Sequence, residues 1–219
     1  MLEFIETTFA DFDRLAFEFM AGLRDGAGEV LTPIATIFSL LTTLGLLYII
    51  IGLCIAFFAG KRKLAICLIG AIAIGAIFTN LTLKNLVARP RPFLTEEYKP
   101  FWELVGAPHE DEYSFPSGHT TATAAVAMAG FLYGKKKWSW IGLLAVLIIG
   151  FCRIYLVVHY ASDVLAGIIV GSIAGLIAGL IVKIFYAIIK NKNGKFARFV
   201  KEWDLSDWFV KKKYKQKSE

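Results

Sequence analysis

Residues 162–189 read SDVLAGIIVGSIAGLIAGLIVKIFYAII, an apolar run with Gly167, Gly171, Gly175 and Gly179 at every fourth position. About 20 consecutive apolar residues cross a bilayer as one helix, so the run predicts a spanning helix. Residues four apart share a helical face, and a column of glycine on one face lets a second helix approach closely. The same length criterion, applied outward along the chain, finds four more spans. They are about Leu31 to Ala59, Leu64 to about Ala88, Ser117 to Tyr133, which is short and rich in small residues, and Trp138 to about Leu156. The chain has 219 residues, 57% hydrophobic and 19% charged, with a mean hydropathy of +0.60. That is too apolar for a soluble domain of this length. The expected fold is all-α: a polytopic membrane bundle of about five transmembrane helices.

Net charge is +6, unevenly placed. Lys61, Arg62 and Lys63 join spans one and two, and Lys135, Lys136 and Lys137 join spans three and four. The segment after span five carries Lys190, Lys192, Lys195, Arg198 and Lys201, then Lys211, Lys212, Lys213, Lys215 and Lys217. Alternation puts these segments on one side, and the positive-inside rule makes that side cytoplasmic. Lys/Arg clusters that flank apolar spans mark membrane topology, and no nucleic-acid partner is expected. The opposite side holds an acidic N-terminus and the loop 89–116, with Glu96, Glu97, Glu103, Glu110, Asp111 and Glu112. The protein is therefore expected in the plasma membrane, multi-pass, with a cytoplasmic C-terminus.

Three regions follow. Residues 1–29 mix aromatics with acids too densely to span. Phe4, Phe12, Leu15 and Phe19 suit one helical face, which predicts either an amphipathic helix lying in the interface or a flap packed on the protein. Residues 30–190 form the transmembrane domain. Residues 191–219 read as a basic amphipathic tail on the inner leaflet, with Phe196, Phe199 and Trp203 at helical spacing and Trp208 and Phe209 beyond. Nothing at the N-terminus resembles a cleavable signal. Cys54, Cys67 and Cys152 lie in apolar runs without paired spacing and read as free thiols.

Just before the fifth span, residues 153–163 read Arg-Ile-Tyr-Leu-Val-Val-His-Tyr-Ala-Ser-Asp. Ionisable groups at membrane depth are costly and mark function by default. His159 and Asp163 are four apart and would share a face on a helix; a carboxylate beside an imidazole fixes its tautomer and frees the other nitrogen to attack. Arg153 is six residues before His159, off that face, so a helix end or turn is expected between them.

Two more polar clusters fall at the same outer ends. Lys84 to Pro92 reads Lys-Asn-Leu-Val-Ala-Arg-Pro-Arg-Pro, and Pro116-Ser117-Gly118-His119 opens the third span. Lys84, Arg89, Arg91 and Arg153 would gather cations suited to an anion, with arginine offering two parallel donors to phosphate oxygens. Only one of the two Arg-Pro pairs need point inward. Ser117 suits an N-cap, Gly118 lets backbone approach a ligand, and a helix N-terminus favours phosphate. His119 in that first turn is placed for proton transfer, whereas His109, without such company, reads as structural. The chemistry that fits is phosphate-ester cleavage. His159, oriented by Asp163, attacks phosphorus to give a phosphohistidine, and His119 protonates the departing oxygen and then activates water. No cluster with metal-ligand spacing accompanies these residues, so neither metal nor other cofactor is expected.

The three motifs together resemble the type 2 phosphatidic acid phosphatase superfamily, whose signature is Lys-x6-Arg-Pro, Pro-Ser-Gly-His and Ser-Arg-x5-His-x3-Asp. The matches are Lys84 with Arg91-Pro92, Pro116 to His119, and Arg153, His159 and Asp163. The resemblance implies His159 as nucleophile, Asp163 as its partner and His119 as general acid. It implies Lys84, Arg91, Ser117, Gly118 and Arg153 as phosphate ligands, and selects Arg91 over Arg89. Cys152 departs from the signature's Ser, and membrane members commonly have six spans where five are found here. The implied activity is hydrolysis of a lipid phosphate or diphosphate, such as undecaprenyl diphosphate, phosphatidylglycerol phosphate or phosphatidic acid, on the outer face. Phosphotransfer through the same intermediate is the alternative. An anion channel would need the cations but no nucleophile and acid.

Overall fold

The computed structural model describes residues 1–203. The reading of Trp208, Phe209 and the lysines from Lys211 onward falls outside them. Among the described residues the chain is helical, with no strand: α1 (Leu2–Thr8), α2 (Ala10–Leu41), α3 (Leu46–Ala56), α4 (Arg62–Ala76), α5 (Lys84–Val87), α6 (Lys99–Leu104), α7 (Gly118–Tyr133), α8 (Ser139–Tyr155), α9 (Ala161–Ile189) and α10 (Lys195–Glu202). A π-helical segment, Ile77–Leu83, joins α4 to α5.

Three stretches are long and apolar enough to cross a bilayer: Arg62–Leu94, Lys136–Tyr155 and Ala161–Ile189. A fourth arises if α2 and α3, bent by 50° relative to each other, act as one span. The expected continuous first span from Leu31 to Ala59 is thus two helices. The break follows from its residues. Thr42 and Thr43 turn their hydroxyls back onto the carbonyl of Ser39, and Gly45 adopts φ +67, a conformation that glycine takes without steric cost. The expected third span is α7, whose 16 residues reach about 24 Å at 1.5 Å per residue, short of the hydrocarbon core.

The core explains how so short a helix is held. Cys67, Leu68, Ala71 and Ile72 of α4 meet Ala125 and Ala129 of α7 and Ala174, Ala178 and Val182 of α9. The glycine column of α9 faces α7 directly. A Cβ on Gly167 would stand 2.8 Å from the Ser117 carbonyl oxygen, one on Gly171 2.2 Å from that of Thr121, and one on Gly179 2.4 Å from Leu132 Cδ1. Partners rise in number together, so α7 and α9 run parallel. Against α4 the order reverses, Gly179 near Cys67 and Ala174 near Gly75, so that pair is antiparallel. Leu143, Leu147, Leu180 and Ile184 point outward, as lipid-facing positions should.

At one end, the Arg62 guanidinium donates to the carbonyls of Phe199 (2.9 Å), Val200 (2.6 Å) and Trp203, and Lys63 lies over the Tyr186 ring. The basic junction and the start of the basic tail therefore meet. Lys84 lies at the far end of the same helical run, roughly 33 Å away at 1.5 Å per residue. The N-terminal segment has an exposed apolar face and buried polar contacts to the bundle. Phe4, Phe12, Leu15 and Phe19 are exposed, while Asp13 and Arg24 are buried against the bundle. Phe9 separates α1 from α2, and α2 runs on into the first apolar stretch, kinked at Ala27 (φ −141) between Gly26 and Gly28, a place where helices bend.

Candidate active site

The site forms at the end that holds Lys84. The π-helical turn adds one residue to the register of the second span; such insertions re-aim side chains and are frequent at functional sites. Ala88 then turns left-handed (φ +51) and ends α5, and the Arg-Pro-Arg-Pro stretch leaves the helix. Lys84, Arg89 and Arg91 are all buried, so both Arg-Pro pairs point inward, each to a different task.

Arg91 lies beside His159. Its Nε donates to the Glu112 carbonyl (2.6 Å), Nη1 to the Val158 carbonyl (2.9 Å) and Nη2 to the Glu110 carboxylate (3.1 Å). Arg153, at the last turn of α8, donates to the other oxygen of Glu110 and to the Ser39 hydroxyl. Lys84 pairs with the Glu112 carboxylate. Three cations therefore surround one volume, and two loop carboxylates occupy them. Burial alone would raise the Glu110 pKa; Arg153, Arg91 and His119 outweigh it and hold the carboxyl below its ordinary value of 4.5.

His159 lies at the edge of this volume. Sequence spacing allowed it to share a helix with Asp163, but α8 ends at Tyr155 and α9 begins at Ala161, leaving His159 in the turn between them. The turn is tight: Val157 takes φ +59, and the N–H groups of Val158 and His159 both donate to the Arg153 carbonyl at 3.3 Å. A β-branched residue in that region is strained, and the strain folds His159 back over Arg153. Its Nε2 lies 3.4 Å from Arg91 Nη1. A guanidinium cannot accept a hydrogen bond, so Nε2 bears the lone pair and Nδ1 the proton. Nδ1 lies 3.5 Å from Asp163 Oδ2 and makes no hydrogen bond; contacts of this kind are often long before a substrate is bound. Burial, with Arg91, Arg153, Lys84 and His119 around it, keeps the His159 pKa well below 6.5, and the ring is neutral at pH 7.

Asp163 is fixed from two sides. Oδ2 accepts from the Tyr160 N–H (2.9 Å) at the start of α9, and Oδ1 accepts from Arg89 Nη1 (2.7 Å). Arg89 also donates to Ser162 Oγ (2.8 Å) and Asp13 Oδ2 (2.8 Å), beneath the Tyr160 ring at 3.8 Å. Position was the signal that separated the two arginines; the structure gives Arg89 the carboxylate that backs the histidine.

His119, in the first turn of α7, keeps a buried Nε2 without a protein partner. Ser117 is the N-cap residue, as expected, but makes no side-chain capping bond. Its N–H donates to the Asp163 carbonyl (3.0 Å) and its Oγ accepts from Thr120 (3.0 Å), which ties the second motif to the third. A Cβ on Gly118 would meet Asn80 Oδ1 at 3.6 Å, and that buried oxygen also lacks a partner. Cys152 packs with Met20, Ala35 and Tyr155 in an apolar cluster, so the thiol in place of the signature's Ser is a core residue. His109 pairs with Asp111 (2.7 Å) on the exposed loop, away from the cations. Among the described residues, no three His, Cys, Asp or Glu side chains gather as a metal ion would require. Asp13, Glu110 and Glu112 were missed from sequence, because each sits in a run of several carboxylates with nothing in the spacing to single it out.

An apolar helical bundle with two imidazoles, a buried carboxylate and three buried cations gathered at one end is a multi-pass membrane protein. The chain belongs to the PAP2 superfamily, whose model matches residues 64–191, and the resemblance expected from the three motifs holds. It is 33% identical over 113 residues to the undecaprenyl-diphosphatase of Sulfolobus acidocaldarius, covering 50% of this chain and 51% of that one. It is 38% identical over 99 residues to phosphatidylglycerophosphatase B of Bacillus subtilis, covering 40% and 43%. The crystal structure of Aquifex aeolicus LpxE matches with a TM-score of 0.57 and 25% identity, over 74% of this chain and 92% of that one. The chain spans about half the length of the curated relatives it matches.

Proposed function

We propose that this protein is a metal-independent lipid phosphate phosphatase that works through a phosphohistidine. One observation carries the reading: the lone pair of His159 Nε2 faces the volume held by Lys84, Arg91 and Arg153, with Asp163 behind Nδ1. The cations take the phosphoryl oxygens and stabilise the charge that spreads over them in the transition state. Nε2 attacks phosphorus, the bond from phosphorus to the leaving oxygen breaks, and His119, which takes up a proton as the bound phosphate offsets the surrounding cations, gives that oxygen its proton. Neutral His119 then takes a proton from water as the water oxygen attacks phosphorus; the P–N bond breaks and inorganic phosphate leaves.

The substrate class follows from the site's place at the end of an apolar bundle, where a lipid tail stays in the bilayer while its headgroup meets the cations. Undecaprenyl diphosphate and phosphatidylglycerol phosphate are the candidates favoured by the named relatives. The site faces the extracytoplasmic side if the positive-inside rule holds for the basic end. Purified protein, assayed on both lipids with a chelator present, should release phosphate at an unchanged rate. His159→Ala should remain folded and release none. Turnover by that variant sinks the nucleophile assignment, and strong inhibition by chelator sinks metal independence. Transfer to an added alcohol, in place of phosphate release, would favour a phosphotransferase.

A further inference from the structure

The catalytic pair has a support from outside the matched family region. Asp13, in the first turn of α2, is buried and makes three hydrogen bonds to groups around Asp163. Oδ1 accepts from the Ser162 N–H at 2.7 Å. Oδ2 accepts from the Ser162 hydroxyl at 2.7 Å and from Arg89 Nη2 at 2.8 Å. Arg89 spends its other terminal nitrogen on Asp163 Oδ1 and Ser162 Oγ. Both acceptor oxygens of Asp13 are thus directed at the residue preceding Asp163 and at the cation that grips it. A buried carboxylate is seldom left without partners, but here all of its protein partners belong to the support of one other carboxylate.

We propose that Asp13 is a positioning residue for the His159–Asp163 pair: it shares Arg89 with Asp163 and pins the first turn of α9. The inference rests on the reading of His159 as nucleophile. Two consequences follow from the geometry. With Asp13 as a counter-charge, Arg89 does not cancel Asp163, and the three groups together carry a net negative charge beside the developing imidazolium. With the Ser162 N–H held, the N-terminus of α9 cannot swing Asp163 away from Nδ1. Asp13 contacts none of Lys84, Arg91 or Arg153, so substrate binding should be indifferent to it.

The test uses the full chain in detergent with undecaprenyl diphosphate and phosphatidylglycerol phosphate as probes. Asp13→Asn keeps the shape and removes the charge. It should lower kcat about tenfold, the low end for losing an outer-shell partner, and leave KM within about twofold. In an Asp163→Asn background the same substitution should cost nothing further, because the residue through which it acts is already disabled. Arg89→Lys, which keeps a charge but cannot fork between two carboxylates, should reproduce the loss of kcat even if Asp13→Asn fails to fold. Wild-type kcat in folded Asp13→Asn or Arg89→Lys overturns the proposal. So does a matched loss of kcat and rise in KM, or a full additional loss in the Asp163→Asn background. His159→Ala in the same series separates the two levels. If that variant is dead while Asp13→Asn is normal, the positioning role alone fails. If it turns over, the nucleophile reading fails and takes this inference with it.

Discussion

Gly171→Ala tests whether the catalytic geometry depends on the contact between α7 and α9. The added Cβ would stand 2.2 Å from the Thr121 carbonyl oxygen, 2.8 Å from Ala124 Cβ and 3.0 Å from the Ala125 nitrogen. None of these atoms can rotate away, so the helices must part by about 1 Å to reach ordinary contact, a move that close-packed interiors resist. Overpacking of this kind costs about 1–3 kcal/mol. The shift also reaches the site, because α7 begins with His119 and α9 carries Asp163, joined through the Ser117 N–H at 3.0 Å. A displacement near 1 Å at reacting groups costs about a hundredfold in rate, so kcat should fall by between about ten- and a hundredfold. Gly179→Ala is the graded control: its obstacle at 2.4 Å is the tip of Leu132, which can change rotamer, and the loss should stay under about 1 kcal/mol. Gly130, with nothing within 4 Å, should gain up to about 1 kcal/mol on substitution by Ala from helix propensity. Thermal unfolding in detergent and steady-state kinetics on the three variants decide the matter. Equal stability and equal kcat for Gly171→Ala and Gly179→Ala would refute the reasoning.

Replacing His119 by Ala should slow hydrolysis of alkyl phosphates by about 10²–10⁴-fold. The defect should be much smaller with p-nitrophenyl phosphate, whose leaving group needs no proton; equal defects on both would deny His119 its acid role. Glu110→Gln should lower the inhibition constant of inorganic phosphate about tenfold, the effect of one displaced charge-assisted contact, and unchanged inhibition would show that the loop does not compete. The pH dependence of stability gives a second measure of that carboxylate. Its folded pKa is depressed below 4.5, so the stability it contributes is complete well above that pH and fades as pH falls through the folded value. Urea midpoints of the wild type and Glu110→Gln should therefore converge under acid and separate at neutral pH. Val157→Gly relieves the left-handed strain at φ +59, about 1–3 kcal/mol, but removes a fully buried side chain worth about 1.5–3 kcal/mol, so stability should stay within about 2 kcal/mol of the wild type. It should still reduce kcat, because the turn that aims His159 is loosened; a marked destabilisation would show that the strain estimate is wrong.

The parts of the molecule legible in sequence were those tied to a helix end or a period. Lys84 closes an apolar run, His119 opens one, and Arg153 and His159 bracket the turn between two, so their common level followed from counting spans. The glycine column of α9 was legible because its period of four matches a helical face. Other features depend on tertiary contact. The break at Gly45 and the kink at Ala27 interrupt what reads as continuous helix. Motif spacing separates Arg91 from Arg89, but only the fold shows that Arg89 is also buried and grips Asp163. Asp13 lies 149 positions before Ser162, which it binds, in a segment whose acids mostly face outward.

The grip of Glu110 on Arg91 and Arg153 means that these two cations are already liganded by their own chain. A tethered carboxylate competes at an effective concentration set by its loop, on the order of millimolar for short flexible tethers. An incoming headgroup gains only the difference between its own contacts and those it displaces. On the proposed function, a lipid phosphate held in the bilayer is itself confined to a thin layer at high local concentration and would meet this competition on equal terms, whereas a phosphate ion arriving from water would not.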